Sequence, residues 1–226
     1  MLTLHGSSSS NYHNIIKLTL LEKDVPFEES VMYSGAGDAP RPGSLRQSPI
    51  GRLPCLETEA GLISDSPLIL EYLERNFPAI PMYPDGTVEA ATLEELMRVI
   101  DLYLKLAARR LLPNYFARKP TSEHVANEVR VALTQGAKVI GQLARFNPFI
   151  LGQAFTAADI GATIHFPVVQ AVVSQVLGYD PLAEVPGLPA YLARMEERPS
   201  VQRIRHDQAL DRPLFLEHLQ SLDHKV

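Results

Sequence analysis

Two prolines, Pro54 and Pro67, punctuate the stretch Gly51–Leu73 and constrain it more tightly than any other part of the chain. Pro54 stands at the mouth of a short apolar run, Cys55-Leu56, that reads as a strand. Ala60-Gly61 marks a turn, and Leu62-Ile63 a second short strand. Asp65-Ser66-Pro67 then opens a helix: a proline at the first helical position gives up a donor that has no helical partner, and Ser66 before it can cap. Leu68, Ile69, Tyr72 and Leu73 supply an apolar face at helical spacing. The expectation is strand, strand, helix, with the helix starting where Asp65 and Ser66 are displayed.

A helix start offers unpaired N–H groups and the positive end of a dipole, so a carboxylate binds there readily. Asp65 beside it is suited to an amine. Together they form a clamp for an amino-acid head group, and the same two residues also suit plain helix capping.

The rest of the chain falls into two patterns. Leu2 and Leu4, alternating with Thr3 and His5, predict a strand ended by Gly6, and Ser7 to Asn11 predicts a loop. Ile15, Ile16, Leu18, Leu20 and Leu21 predict a helix over 12–23, and a second strand follows over 27–33. Residues 34–49, rich in Gly, Pro and Ser and carrying Arg41, Arg46 and Gln47, read as a loop. The order β-α-β, loop, β-β-α predicts a thioredoxin-like domain over 1–77, with one mixed four-stranded sheet. Pro78, Pro81 and Pro84 cannot continue a helix, so 78–86 reads as a linker.

Beyond it, 87–226 reads as an all-helical bundle. Helices are expected over 89–116 and 123–146, from Thr156, over 188–198 and 201–206, and over 213–224 at the tail. Phe155-Thr156-Ala157-Ala158-Asp159-Ile160 is a capping box with a hydrophobic staple, which makes Asp159 structural.

Composition narrows the class. With 46% hydrophobic and 21% charged residues the chain reads as ordinary globular protein. A net charge of −5 without a basic block argues against nucleic acid. Cys55, alone of its type, excludes an internal disulfide framework and a Cys-rich metal site, fits a reducing compartment, and reads as a small buried hydrophobe. Met1 to His5 carries no leader pattern, and no apolar run reaches the roughly eighteen residues of a membrane span. The cytoplasm is expected, with no membrane partner.

Leu53-Pro54, the two short strands, Asp65-Ser66 ahead of a Leu/Ile-rich helix, the Thr156–Asp159 box and Glu197-Arg198-Pro199 together resemble the cytosolic glutathione transferases, of a bacterial, serine-type, theta-like kind. The resemblance covers residues 1–206. It implies that the Leu53 backbone pairs with the cysteinyl part of glutathione, that Asp65 and Ser66 take its γ-glutamyl end, and that Arg52 meets its glycyl carboxylate. Arg41 and Arg46 are further candidate carboxylate partners. It also implies a detoxifying homodimer that uses no metal. An electrophile would bind between the domains, against Tyr103, Ala107, Arg110 and Tyr115 and against His165 and Phe166.

Such an enzyme must stabilise a thiolate. Lowering a thiol pKa of about 8.5 by two units takes about 2.7 kcal/mol. One hydrogen bond to a charged group supplies roughly 1.5–3 kcal/mol, and a helix dipole roughly 0.3–1 kcal/mol. A single hydroxyl suffices. Aligning Leu20-Leu21-Glu22 on the family's Leu-x-Glu ending puts its serine on Ser10, with Asn11 in place of the usual proline and Ile15 in place of the usual lysine. Asn11, through its side-chain amide, is the second candidate, ahead of Ser9 and Tyr12. His5 and His13 read as partly exposed bystanders with no carboxylate spaced to join them. The function expected is thiolate transfer from glutathione to an electrophilic, partly apolar co-substrate. Glutathione-dependent peroxide or disulfide reduction, maleylacetoacetate-type isomerisation, and a non-catalytic binding or regulatory role are the alternatives.

Overall fold

The computed structural model describes residues 1–33 and 52–223, so Arg41, Arg46, Gln47 and Gly51 lie outside the described residues. The elements run β1 (Leu2–Gly6), α1 (Asn11–Glu22), β2 (Phe27–Val31), β3 (Cys55–Thr58), β4 (Gly61–Ser64) and α2 (Ser66–Asn76). Then come α3 (Thr87–Arg98), a π-helical stretch (Val99–Lys105), α4 (Leu106–Arg109), α5 (Leu112–Ala117), α6 (Glu123–Leu143), α7 (Ala157–Leu177), α8 (Leu188–Glu196) and α9 (Pro199–Asp223). They form two compact units, Met1–Pro81 with Glu196–Val226, and Met82–Met195.

In the first unit the strands are ordered β2-β1-β3-β4, with β1 and β2 parallel and the other pairs antiparallel. This is the thioredoxin-like mixed sheet. The register sets Leu4 opposite Leu56, both fully buried, and Ile16, Leu18 and Leu20 of α1 with Ile69 and Leu73 of α2 complete the core. Each such side chain contributes about 1.5–3 kcal/mol by leaving water. β2 stops at Val31, short of the expected residue 33, because β1 ends at its partner Gly6 and has nothing further to pair. A last bond, Met32 N–H to the Gly6 carbonyl at 2.9 Å, closes the ladder.

The tail departs from the expected pair of short helices. α9 runs unbroken through Pro213. Proline there removes one backbone bond, and contacts on both sides hold the helix in line. The sequence reading grouped this segment with the helical region, whereas here it packs on α1. Arg198 grips Glu22 through two bonds, at 2.9 and 2.5 Å, and Ser200 also donates to Glu22. Lys17, 2% exposed, donates to Glu29 at 2.6 Å and Asp207 at 2.7 Å. A buried ammonium needs such partners, since an uncompensated one costs several kcal/mol.

The second unit is helical, and its start is pinned by the Ala157 N–H on the Met82 carbonyl at 2.9 Å. The helix expected over 89–116 is a continuous path that widens to π geometry over Val99–Lys105 and breaks at Arg110-Leu111. Pro113, in the first turn of α5, is placed where its missing N–H costs nothing. Gly136 lets α6 approach closely: a Cβ there would lie 2.7 Å from Leu104 Cδ2. α7 corrects the reading that no apolar run is long enough to span a membrane, because by length and composition it is. Its residues Ala157 to Phe166 are buried within this unit, as in the core helix of a globular protein.

Asp159 anchors that helix. It accepts from the Thr156 N–H and hydroxyl, both at 2.9 Å, from the Ile150 N–H at 2.7 Å and from the Tyr191 hydroxyl at 3.0 Å. Burial raises its pKa above the usual carboxylate value, partly offset by these bonds. Asp159→Ala strands four donors and is expected to cost about 3–5 kcal/mol, read as a fall in the urea midpoint by circular dichroism.

Glu29 yields a pH dependence. Burial raises its pKa, but bonds from His13 and Lys17 and their charges outweigh this and hold it at about 2. Its contribution is therefore present above about pH 4.5 and is lost as pH falls toward 2. With solvent screening of a partly exposed carboxylate, Glu29→Gln should cost about 1–2 kcal/mol at pH 7. The gap to wild type should close as urea unfolding is repeated toward pH 3.

Candidate active site

The sheet register gathers the candidate residues. His5 lies opposite Cys55, and Cys55 opposite Ser64. The segments that follow β1 (Ser7 to Ser10), precede β3 (Leu53-Pro54) and follow β4 (Asp65-Ser66) therefore emerge at one end of the sheet. The Leu53-Pro54 peptide is cis. Arg52 is exposed and Leu53 half-buried at this edge, while Cys55 is buried, as a small hydrophobe would be.

Asp65, not Ser66, is the N-cap residue of α2, because Ser66 is already helical and Ile69 N–H bonds the Asp65 carbonyl at 3.0 Å. Its side chain makes no capping bond, and its backbone has φ +81°. Plain capping thus does not account for the carboxylate. A non-glycine residue at such a φ is strained by about 1–3 kcal/mol, and the strain displays an exposed carboxylate beside the helix start. Pro67 has no N–H, so the Ser66 and Leu68 N–H groups are the first-turn donors of α2 that have no helical partner. Carboxylate and donors suit the two ends of an amino-acid head group.

The serine loop is held from several sides. Ser10 N-caps α1, its Oγ accepting from the His13 N–H at 3.4 Å. That bond engages a lone pair and not the hydroxyl proton. Ser10 N–H donates to the Ser7 carbonyl at 3.0 Å, and the Asn14 amide donates to the Ser8 carbonyl at 2.7 Å. Asn11 and Tyr12 open α1 half-buried. Ser9 Oγ is buried and has no hydrogen-bond partner among the described residues. Gly6, at φ +148°, turns the chain from β1 into this loop where a Cβ would meet His13 Nδ1 at 2.6 Å.

Two histidine expectations are corrected. His5 and His13 are buried, and each meets a carboxylate: His5 Nε2 lies 2.9 Å from Glu57 and His13 Nε2 3.1 Å from Glu29. His5 meets Glu57 diagonally across the β1–β3 pair, and His13 of α1 meets Glu29 of β2, contacts between segments that local spacing does not display.

Three residues escaped the sequence reading. Asp211 of α9 accepts from the Ser9 N–H at 2.7 Å and from the Tyr33 hydroxyl at 2.6 Å. Tyr33 also stacks on His218, with ring centroids 5.0 Å apart. Burial and Asp211 push the Tyr33 pKa up to about 12. The available signal was the helical spacing of Ile204, Asp207, Asp211, Phe215 and His218.

The suggested co-substrate walls fare differently. His165 and Phe166 are buried in the helical unit, and burial with Lys105 nearby lowers the His165 pKa to about 3. They present no surface within that unit. Tyr103 is exposed, Ala107 is buried, and Arg110 is engaged by Glu128 at 2.6 Å. Among the described residues no group of three or more His, Cys, Asp and Glu could hold a metal ion.

Residues 4–81 match the family model of the glutathione S-transferase N-terminal domain. A glutathione S-transferase of Pseudomonas putida is 36% identical over 221 residues, covering 98% of this chain and 99% of its own. Among solved structures, a glutathione S-transferase from Methylobacterium radiotolerans in complex with glutathione sulfonate superposes with a TM-score of 0.72 at 24% identity, over 89% of this chain and 93% of its own. A bacterial maleyl pyruvate isomerase of the zeta class gives a TM-score of 0.72 at 20% identity, over 89% and 95%.

The geometry at residue 65 has a direct test. Asp65→Gly releases the backbone strain at a cost of about 0.5–1 kcal/mol in glycine entropy. It should raise the unfolding free energy by about 1 kcal/mol in a denaturant titration, whereas Asp65→Ala keeps a Cβ at the same φ and should not.

Proposed function

Because the chain belongs to the glutathione S-transferase family, we propose that it binds glutathione at the sheet end described above and turns its thiol on an electrophilic, partly apolar co-substrate. The observation that carries this reading is the uncapped, strained Asp65 beside the free donors of α2. In this reading the γ-glutamyl ammonium meets Asp65, and its carboxylate meets the Ser66 and Leu68 N–H groups with the dipole of α2 behind them. The cysteinyl amide pairs with the Leu53 backbone beside the cis peptide, and Arg52 takes the glycyl carboxylate.

So held, the sulfur points toward the start of α1. The thiol gives its proton to solvent, and Ser10 aims a hydroxyl hydrogen bond at the resulting thiolate while its oxygen keeps the cap on His13. Asn11 is the second candidate donor. Stabilising the charged sulfur by roughly 1.5–3 kcal/mol brings the thiol pKa down by one to two units, enough to populate the nucleophile at neutral pH. The thiolate then forms a bond to the electrophilic carbon as the leaving group departs with the electron pair. A reducing cytoplasm and a homodimer complete the reading.

Calorimetry and turnover test it together. Wild type should bind glutathione at or below millimolar Kd, and Asp65→Ala should weaken binding about tenfold or more. Ser10→Ala should bind within threefold of wild type while its bound-thiol pKa, read from thiolate absorbance, rises by one to two units and turnover of an aryl halide falls. Activity on an organic hydroperoxide or on a maleyl substrate, with none on the aryl halide, would reassign the reaction on the same site. Absence of binding at 10 mM glutathione, on the order of the weakest useful affinity, would leave a non-catalytic role.

A further inference from the structure

α9 reaches the serine loop through one residue. Asp211 is 8% exposed, and its two carboxylate oxygens are shared between two segments: Oδ2 accepts the Ser9 N–H at 2.7 Å and Oδ1 accepts the Tyr33 hydroxyl at 2.6 Å. Among the described residues no ion pair of Asp211 is found, and its buried carboxyl group rests on two neutral donors. An arrangement of that kind is costly unless both bonds are well made. It is out of keeping with simple helix docking, because Asp207, one turn earlier on the same face, does dock on a cation, Lys17. The Tyr33 ring is in turn clamped by His218, and Phe215 lies 6.1 Å away between centroids.

We propose that Asp211 is a positioning residue for the sulfur site: from α9 it fixes the Ser9 backbone, and with it the direction of the Ser10 hydroxyl. This rests on the transferase reading above. The loop bonds act as a set. The Ser10 N–H reaches back to Ser7, the Asn14 amide holds Ser8, and Asp211 holds Ser9. Of these three, Asp211 is the one supplied from the other end of the chain. A hydroxyl aimed at a thiolate gains its full strength only near linear geometry, and falls off steeply below about 120°. Releasing Ser9 lets Ser10 turn. The outcome is loss of thiolate stabilisation with the glutathione clamp at Leu53, Asp65 and Ser66 left whole.

The test measures loop protection and chemistry separately. In Asp211→Ala, Ser9 amide exchange followed by NMR without glutathione should speed up at least tenfold, kcat should fall about tenfold, and glutathione Kd should stay within threefold. The bound-thiol pKa should rise by about one unit. Asp211→Asn keeps a carbonyl acceptor for the Ser9 N–H and should recover most of kcat. Asp207→Asn should lower the melting temperature while leaving kcat within twofold. Should Asp211→Ala fail to fold, Tyr33→Phe serves: loss of its bond should loosen Ser9 and lower kcat in the same direction. Unchanged Ser9 protection in a wild-type background that binds and turns over glutathione would overturn this proposal alone. So would equal kcat losses in the Asp207 and Asp211 variants. Failure of wild type to bind glutathione would overturn the transferase reading instead, whatever the Ser9 exchange shows.

Discussion

The first unit depends on a buried ammonium. Lys17 stands on α1 almost out of water, and it is tolerable there because Glu29 from β2 and Asp207 from α9 both reach it. Three segments far apart in sequence are thereby tied at one point. An apolar residue at position 17 would leave Glu29 with His13 and Asp207 with Arg203 but without their shared ammonium, and loss of either carboxylate would leave the ammonium less compensated. The same contact helps to hold α9 on the N-terminal unit, together with Arg198 and Ser200 on Glu22. With the docking of the last helix spread over these contacts, Asp211, one turn beyond Asp207, is the residue that meets the serine loop.

The sheet and the start of α2 were legible because their signals are local. Pro54, the Ala60-Gly61 turn and Asp65-Ser66-Pro67 each act within a few residues, and backbone rules translate them directly into strand, turn and helix start. Asp159 was legible for the same reason, since a capping box spans four residues. The cap of α2 was expected at Ser66 and lies one residue earlier, because nothing in the sequence reports the positive φ at Asp65. The pairs His5 with Glu57 and His13 with Glu29 were missed, and so was Asp211. Each depends on two segments meeting after the fold is complete, and periodicity within one helix shows a face without showing what it meets.

The helical unit illustrates the complementary limit. Periodicity over 89–116 correctly implied a long helical path, yet the π-helical stretch and the break before Pro113 depend on packing against α6 and α7. Gly136 shows how close that packing is, with no room for even a methyl group against Leu104. An apolar helix such as α7 satisfies the composition of a membrane span, and only its burial among the other helices distinguishes it as core.

The clamp and the sulfur donor differ in how firmly sequence can assign them, and the reason is physical. The proposed clamp would rest on backbone: a register, a cis peptide and the first-turn donors of a helix, with a single side chain, Asp65, to take the amine. Backbone sites tolerate changes of neighbouring side chains. The proposed donor is one hydroxyl in a run of four serines, and a small turn of the loop would exchange one for the next. Ser10 already spends a lone pair on the cap of α1 yet keeps its proton, which is the part a thiolate needs. Ser9 has a buried hydroxyl without a partner among the described residues, but its main chain is the part Asp211 holds. A residue fixed by its backbone orients its neighbour, and a residue fixed by its cap presents its proton. That division of labour favours Ser10 as the donor and Ser9 as its support.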